Sequence, residues 1–203
     1  MIISHKYKFI FIKTQKTAGT SIEVYLSQHC HDRDVITPIR PQVPPHIARN
    51  HDGFYNHISA REVKSRIPKS VWESYFKFCV ERNPWDKTLS HYHMLCARKG
   101  GGLTFEKYLS EARLCVDHSL YTVEKNSRII VDRIIRYENL LAELSEVFAF
   151  LDIPFAGSLN VYAKSEYRKD RRPYNEVYTQ RQRYIVEKAF SWEVQTFGYS
   201  FDT

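Results

Sequence analysis

The sequence predicts an α/β fold in which a P-loop-like parallel β-sheet carries helices on both faces, and three observations lead there. Short runs of aromatic and β-branched residues alternate along the chain with stretches of helical periodicity. The first such pair reads strand, tight loop, helix, which is the start of a right-handed parallel crossover. The 203 residues, 43% hydrophobic and 14% aromatic, are enough for one sizeable core, and no composition shift or repeat divides them. A single domain over residues 1–203 is therefore expected.

Residues 7–12, Tyr-Lys-Phe-Ile-Phe-Ile, have strand character. A polar loop follows, and from residue 20 to 29 Ile22, Leu26 and His29 recur on one helix face. Residues 37–57 hold four prolines and several histidines, the composition of a long ordered excursion, and such loops often carry function. Ser59-Ala60-Arg61-Glu62 has the form of a capping box and starts a short helix that Pro68 ends, with a further turn through Trp72. Residues 75–80 read as a second, buried strand. Asn83-Pro84 places an N-cap and a first-turn proline before a helix that stops at Gly100-Gly101-Gly102. Residues 104–112 form another helix, 128–136 a third strand region, 138–151 an amphipathic helix and 178–197 a last helix.

The net charge of +7, from 30 Lys and Arg against 23 Asp and Glu, points to a polyanionic partner: nucleotide, nucleic acid, sulfated glycan or anionic lipid. Cys30, Cys79, Cys96 and Cys115 make no C-x-x-C pair, which argues against a zinc ribbon or thioredoxin-like site and suits a reducing compartment. Adjacent His29, Cys30, His31 and Asp32 suit a solvated helix end better than a tetrahedral metal site, so no metal is expected. The apolar stretch at residues 9–12 is too short for a signal core or a membrane span, and none later is longer, so a soluble, cytoplasmic protein is expected.

Lys16-Thr17-Ala18-Gly19-Thr20-Ser21 lies between the first strand and helix. A helix N-terminus offers backbone N–H groups and the positive end of its dipole to an anion. Gly19 permits close approach, Thr20 and Ser21 add hydroxyls, and Lys16 adds a point charge. The lysine precedes the glycine, so this is not a Walker A loop. A plain Ser/Thr-rich helix start after a turn is the structural alternative. In the second motif, Arg82 ends a strand, Asn83-Pro84 starts a helix, and Ser90 lies two turns on, nearly on the face of the cap. That arrangement suits a second phosphate at the strand C-terminal ends, where parallel sheets bind ligands; a capped helix beside a structural arginine is the bland reading.

The two motifs together resemble the PAPS-dependent sulfotransferase family, in its glycan-modifying branch. Residues 16–21 look like the family's 5′-phosphosulfate loop, with Gln15 where a proline is usual. Arg82-Asn83-Pro84 with Ser90 looks like its 3′-phosphate motif. Residues 135–140 and Phe197-Gly198-Tyr199 resemble further family segments. The resemblance implies a sulfotransferase-like three-layer fold and transfer of a sulfuryl group from 3′-phosphoadenosine 5′-phosphosulfate (PAPS) to an acceptor hydroxyl, without a metal. It implies that Lys16, Thr17, Ala18, Gly19, Thr20 and Ser21 hold the 5′-phosphosulfate and that Arg82 and Ser90 hold the 3′-phosphate. Arg168, Lys169, Arg171 and Arg172 would then belong to a basic loop closing the nucleotide site, with a solvated charged loop as the alternative.

In-line sulfuryl transfer needs a base on the acceptor side and a cation on the leaving side; Lys16 suits the latter. His46, His51, His57 and Glu62 lie between the motifs. Residues 54–59, Phe-Tyr-Asn-His-Ile-Ser, resemble the family segment whose histidine is the base, with Asn56 in place of a glycine. His57 is thus the implied base, His51 the next candidate, and a carbohydrate the implied acceptor. Two other readings compete. An atypical small-molecule kinase would want a Walker lysine and a magnesium carboxylate after an apolar strand. A non-enzymatic binder of nucleic acid or another polyanion would show steep salt dependence, yet no nucleic-acid module is recognisable.

Overall fold

In a computed structural model of the chain, residues 1–123, 128–161, 167, 170 and 172–202 are described. They gather into two compact units, Met1–Glu81 with Ser119–Ala163 and Arg82–His118 with Lys164–Thr203.

The first unit holds a five-stranded sheet. Its strands are β1 (Ile2–Ser4), β2 (Phe9–Phe11), β3 (Val35–Ile36), β4 (Phe76–Glu81) and a strand at Arg133–Arg136, in the spatial order β3, β1, β2, β4, Arg133–Arg136. The centre is parallel as expected: Phe11 aligns with Phe78, and Val80 with Ile135. One edge is not parallel. β1 runs antiparallel to both β2 and β3, so the sheet is mixed. The three-residue run Ile2–Ser4 is too short to announce itself by periodicity, and residues 5–8 turn it back onto β2.

Alternation along the strands puts Phe9, Phe11, Phe78, Val80 and Ile135 on one face. They pack against Ile22 and Leu26 of α1 (Gly19–Ser27), and against Leu144, Val147 and Phe148 of a helix at Leu140–Phe150. The Phe11 and Phe78 rings lie 5.1 Å apart. Each such side chain contributes about 1.5–3 kcal/mol by burial. The other face is buried as well, at Ile10 and Cys79. Lys77 lies there with its Nζ 5.4 Å from the Trp72 ring, on α3 (Lys69–Ser74), and 2.8 Å from the Asp132 carboxylate. Helices flank the sheet on both faces, which gives the expected three layers.

Ser59 caps α2 (Ala60–Arg66) as its sequence predicts, accepting the Glu62 N–H at 3.2 Å while its hydroxyl donates to the Glu62 carboxylate at 2.9 Å. The strand region expected over 128–136 is instead two strands. Arg128–Ile129 pairs antiparallel with Thr122–Val123, and only Arg133–Arg136 joins the main sheet. Asp132 makes the break, because its carboxylate accepts the Lys77 N–H at 2.7 Å while its own N–H donates to the Lys77 carbonyl at 2.8 Å.

The second unit is helical. α4 (Pro84–Arg98) starts at Asn83, whose Oδ1 accepts from the backbone of Trp85 at 3.1 Å and of Asp86 at 3.4 Å. It is followed by α5 (Phe105–Glu111), capped by Thr104. The core joins Trp85 and Tyr108 to Val186, Phe190 and Phe201, and the Trp85 indole donates to the Arg183 carbonyl at 3.1 Å. Lys87 and Asp117 form a fully buried pair at 2.9 Å. The single last helix expected over 178–197 is two, Gln180–Ala189 and Ser191–Phe197, because the chain turns at Phe190 to bury that ring. Among the described residues no helix is long and apolar enough to cross a membrane, and no disulfide links the four cysteines.

Candidate functional site

The loop after β2 is built from below. Lys13 is buried, and its Nζ lies 2.5 Å from the carboxylate of Glu23, a fully buried residue on α1. Glu23 also receives the Met1 amine. Burial alone would raise the Glu23 pKa; the two cations beside it hold it below the ordinary carboxylate value. Above this pair, the Thr14 hydroxyl donates to the Val80 carbonyl at the end of β4, and it lies 2.8 Å from the Thr17 hydroxyl. The loop is thereby fastened to the neighbouring parallel strand.

Lys16 and Ala18 both adopt left-handed backbone, with φ of 60° and 59°. For non-glycine residues this costs of order 1–3 kcal/mol each, and such strain clusters at ligand clamps. Left-handed residues also help build the concave sets of backbone N–H groups that bind anions. Ala18 is the N-cap of α1 and supplies no side-chain acceptor, nor is there an acidic residue in the first turn. The helix start is left to its backbone donors and to Thr20 and Ser21. Gly19 is required by crowding: a Cβ there would sit 2.7 Å from Cγ of Lys13.

His57 belongs to the same unit. Its Nδ1 lies 2.9 Å from the Lys13 carbonyl oxygen. A carbonyl can only accept, so Nδ1 carries the hydrogen and the neutral ring keeps its basic lone pair on Nε2. The turn bearing it starts at Tyr55, whose carbonyl accepts the Ile58 N–H at 3.3 Å, and His57 sits there with φ of 61°. His51 is half-buried and its carbonyl accepts from Phe54 at 2.7 Å.

In the second unit, Arg82 is 9% exposed and donates through Nε and a terminal nitrogen to Asp86, at 2.9 and 2.6 Å. Asp86 therefore fixes the plane of the guanidinium. Asn83 donates to the Tyr174 hydroxyl at 3.0 Å and the Ser200 carbonyl at 3.2 Å, which ties the motif to the C-terminal segment. Ser90 is half-buried on α4. Of the basic loop, Arg168, Lys169 and Arg171 lie outside the described residues. Arg172 is exposed and paired with Asp170 at 2.7 Å.

Thus Lys16 to Ser21 and His57 share one unit, while Arg82, Ser90 and Arg172 belong to the other. Sequence reading missed Lys13, Glu23, Thr14 and Asp86. A glutamate amid the apolar residues of α1 and a lysine directly after an apolar strand segment were available signals of a buried pair. Asp86, four residues after Arg82 on a helix start, was a signal for an i,i+4 ion pair. Among the described residues no group of three or more His, Cys, Asp or Glu side chains could hold a metal ion.

The fold is a sulfotransferase-like α/β fold. The structure resembles that of mouse sulfotransferase SULT7A1 complexed with PAP, with a TM-score of 0.51 and 14% identity over 95% of this chain and 85% of that one. A sulfotransferase from Alicyclobacillus acidocaldarius aligns at a TM-score of 0.43, also with 14% identity, over 89% of this chain and 94% of that one. No family model matches the chain. In sequence, the chain belongs to the same family as an uncharacterized protein of Archaeoglobus fulgidus, to which it is 30% identical over 113 residues, 53% of this chain and 94% of that protein.

Proposed function

We propose that the protein is a PAPS-dependent sulfotransferase acting on a hydroxyl group, with a carbohydrate as the acceptor class. The observation that carries this reading is the hydrogen bond from His57 Nδ1 to the Lys13 carbonyl. It joins a histidine in its basic tautomer to the loop whose form suits an anion. His57 Nε2 takes the acceptor proton as that oxygen bonds to sulfur. Lys16 places its cation at the oxygen that bridged sulfur to phosphorus, where charge collects as that bond breaks. Residues 17–21 hold the 5′-phosphate through backbone and hydroxyl donors. Arg82, its plane set by Asp86, holds the 3′-phosphate together with Ser90. The carbohydrate acceptor rests on the resemblance of residues 54–59 to glycan-modifying relatives.

The test is a thermal-shift comparison of PAP, 5′-AMP and ATP with the full chain. At ~100 times its dissociation constant a ligand adds about 2.7 kcal/mol to stability. PAP is expected to stabilise far more than 5′-AMP at equal concentration. Equal shifts would remove the 3′-phosphate pocket from the reading, and a larger shift with ATP would favour a kinase.

A further inference from the structure

His57 occupies the third position of the turn from Tyr55 to Ile58, with φ of 61°. That position favours glycine or asparagine, so a histidine persists there only where the chain is fixed on both sides of it. On the C-terminal side the Ile58 side chain is fully buried and Ser59 caps α2. On the other side Tyr55 is 47% exposed, and its hold is polar.

That hold comes from α2. The Tyr55 hydroxyl lies 2.8 and 2.9 Å from the two carboxylate oxygens of Glu62. One terminal nitrogen of Arg66 donates to the same carboxylate at 3.1 Å, and the other donates to the Gly53 carbonyl. The Arg66 guanidinium carbon lies 5.7 Å from the centre of the Tyr55 ring. A lone exposed ion pair would count for little. Here one carboxylate gathers Tyr55, Ser59 and Arg66, and Arg66 in turn holds the chain two residues before Tyr55. Glu62 lies between the two sequence motifs and so was itself a candidate base. With its oxygens engaged by three donors, the Tyr55 hydroxyl foremost, its carboxyl is held below the ordinary value and is a poor proton acceptor.

We infer that Glu62 is a positioning residue acting through Tyr55: it holds the turn so that His57 Nδ1 meets the Lys13 carbonyl and Nε2 is left as the basic nitrogen. The inference rests on the sulfotransferase reading above, and the experiment separates the two. The isotope-labelled full chain is followed by long-range proton–nitrogen NMR at a pH where the His57 ring is neutral, and the ratio of its Nδ1–H to Nε2–H forms is read from the ring nitrogen shifts. PAP affinity is measured on the same samples by calorimetry. The parent should hold the hydrogen on Nδ1. Tyr55→Phe and Glu62→Ala should each move the ratio toward Nε2–H by about 2–10-fold, the equivalent of one neutral hydrogen bond. Tyr55→Phe removes a single exposed oxygen and decides the matter even where Glu62→Ala does not fold. Glu62→Gln keeps an acceptor oxygen and should move the ratio less. Glu73→Gln, in the exposed pair with Lys69 on α3, should not move it. PAP affinity should match the parent in every folded variant. A ratio unchanged in Tyr55→Phe, or moved equally by Glu73→Gln, overturns the positioning role. Failure of PAP to bind the parent chain overturns the sulfotransferase reading, and with it the catalytic use of this hold, even where the ratio responds.

Discussion

Replacing Gly19 by alanine would set a methyl group 2.7 Å from Lys13 Cγ, 3.2 Å from its Cε and 3.4 Å from the Thr14 carbonyl. Carbon atoms rest about 3.5–4.0 Å apart, so Lys13 or α1 must yield by about 0.8 Å. Lys13 has little freedom to do so. Its stem is buried, its Nζ is held by Glu23 at 2.5 Å, and its carbonyl holds His57 at 2.9 Å. Overpacking of this kind costs about 1–3 kcal/mol. For a chain of this length each kcal/mol lowers Tm by about 2–4 °C, so Gly19→Ala should melt roughly 2–12 °C below the parent. PAP affinity should fall as well, because relief of the clash moves the loop or the helix start. Differential scanning calorimetry with and without PAP reads both effects. A Tm within 1 °C of the parent, with unchanged PAP binding, would refute the claim that Lys13 packs tightly beneath the loop.

Arg82→Ala should weaken PAP by about 1.5–3 kcal/mol, the range for hydrogen bonds to charged groups, with little change for 5′-AMP; calorimetric titration decides, and equal losses for both nucleotides would show a structural role. His57→Asn keeps a residue type that tolerates left-handed backbone but cannot take the proton. It should bind PAP normally and lose about 10²–10⁴-fold in turnover, together with the acid-side fall in rate that an imidazole base produces, as a pH–rate profile with labelled PAPS would show. Glu23 has a pKa held below its unfolded value of 4.5. Its contribution is therefore present above that value and lost as the pH falls through the lower folded value. Glu23→Gln should cost about 3–5 kcal/mol at neutral pH and flatten the stability loss below pH ~4.5 in denaturant titrations. An unchanged acid limb would place the acid sensitivity elsewhere.

What the sequence made legible was whatever depends on local chemistry. The Asn83-Pro84 start, the Ser59 cap and the glycine stop after Arg98 are set by neighbouring residues, and all three form as expected. The candidate anion-binding loop at Lys16–Ser21 was visible because its lysine, glycine and hydroxyls are contiguous. What stayed hidden depends on residues far apart in the chain. β1 and β3 are strands only because they pair with each other and because β1 pairs with β2. The break at Asp132 needs Lys77, 55 residues away. The division of the last helix reflects burial of Phe190, which outweighs a continuous helical pattern without any glycine or proline to mark it. At the candidate site, Lys13 read only as the first residue of a polar loop until Glu23 was placed against it. The link from His57 to that same residue's carbonyl is a backbone contact, which no side-chain motif records.

The second unit has a timing consequence for synthesis. Trp85 finds its hydrogen-bond acceptor at Arg183, 98 residues later, and its core partners Val186, Phe190 and Phe201 are made later still. At about 5–20 residues per second, translation leaves α4 without these partners for roughly 5–20 s. During that interval the indole and the apolar face around Tyr108 stand open to other hydrophobic surfaces. A pause in translation within that stretch would lengthen this window, so the nascent chain's need for a holding chaperone is set by the order in which the gene spells out α4 and the helix at Gln180–Ala189.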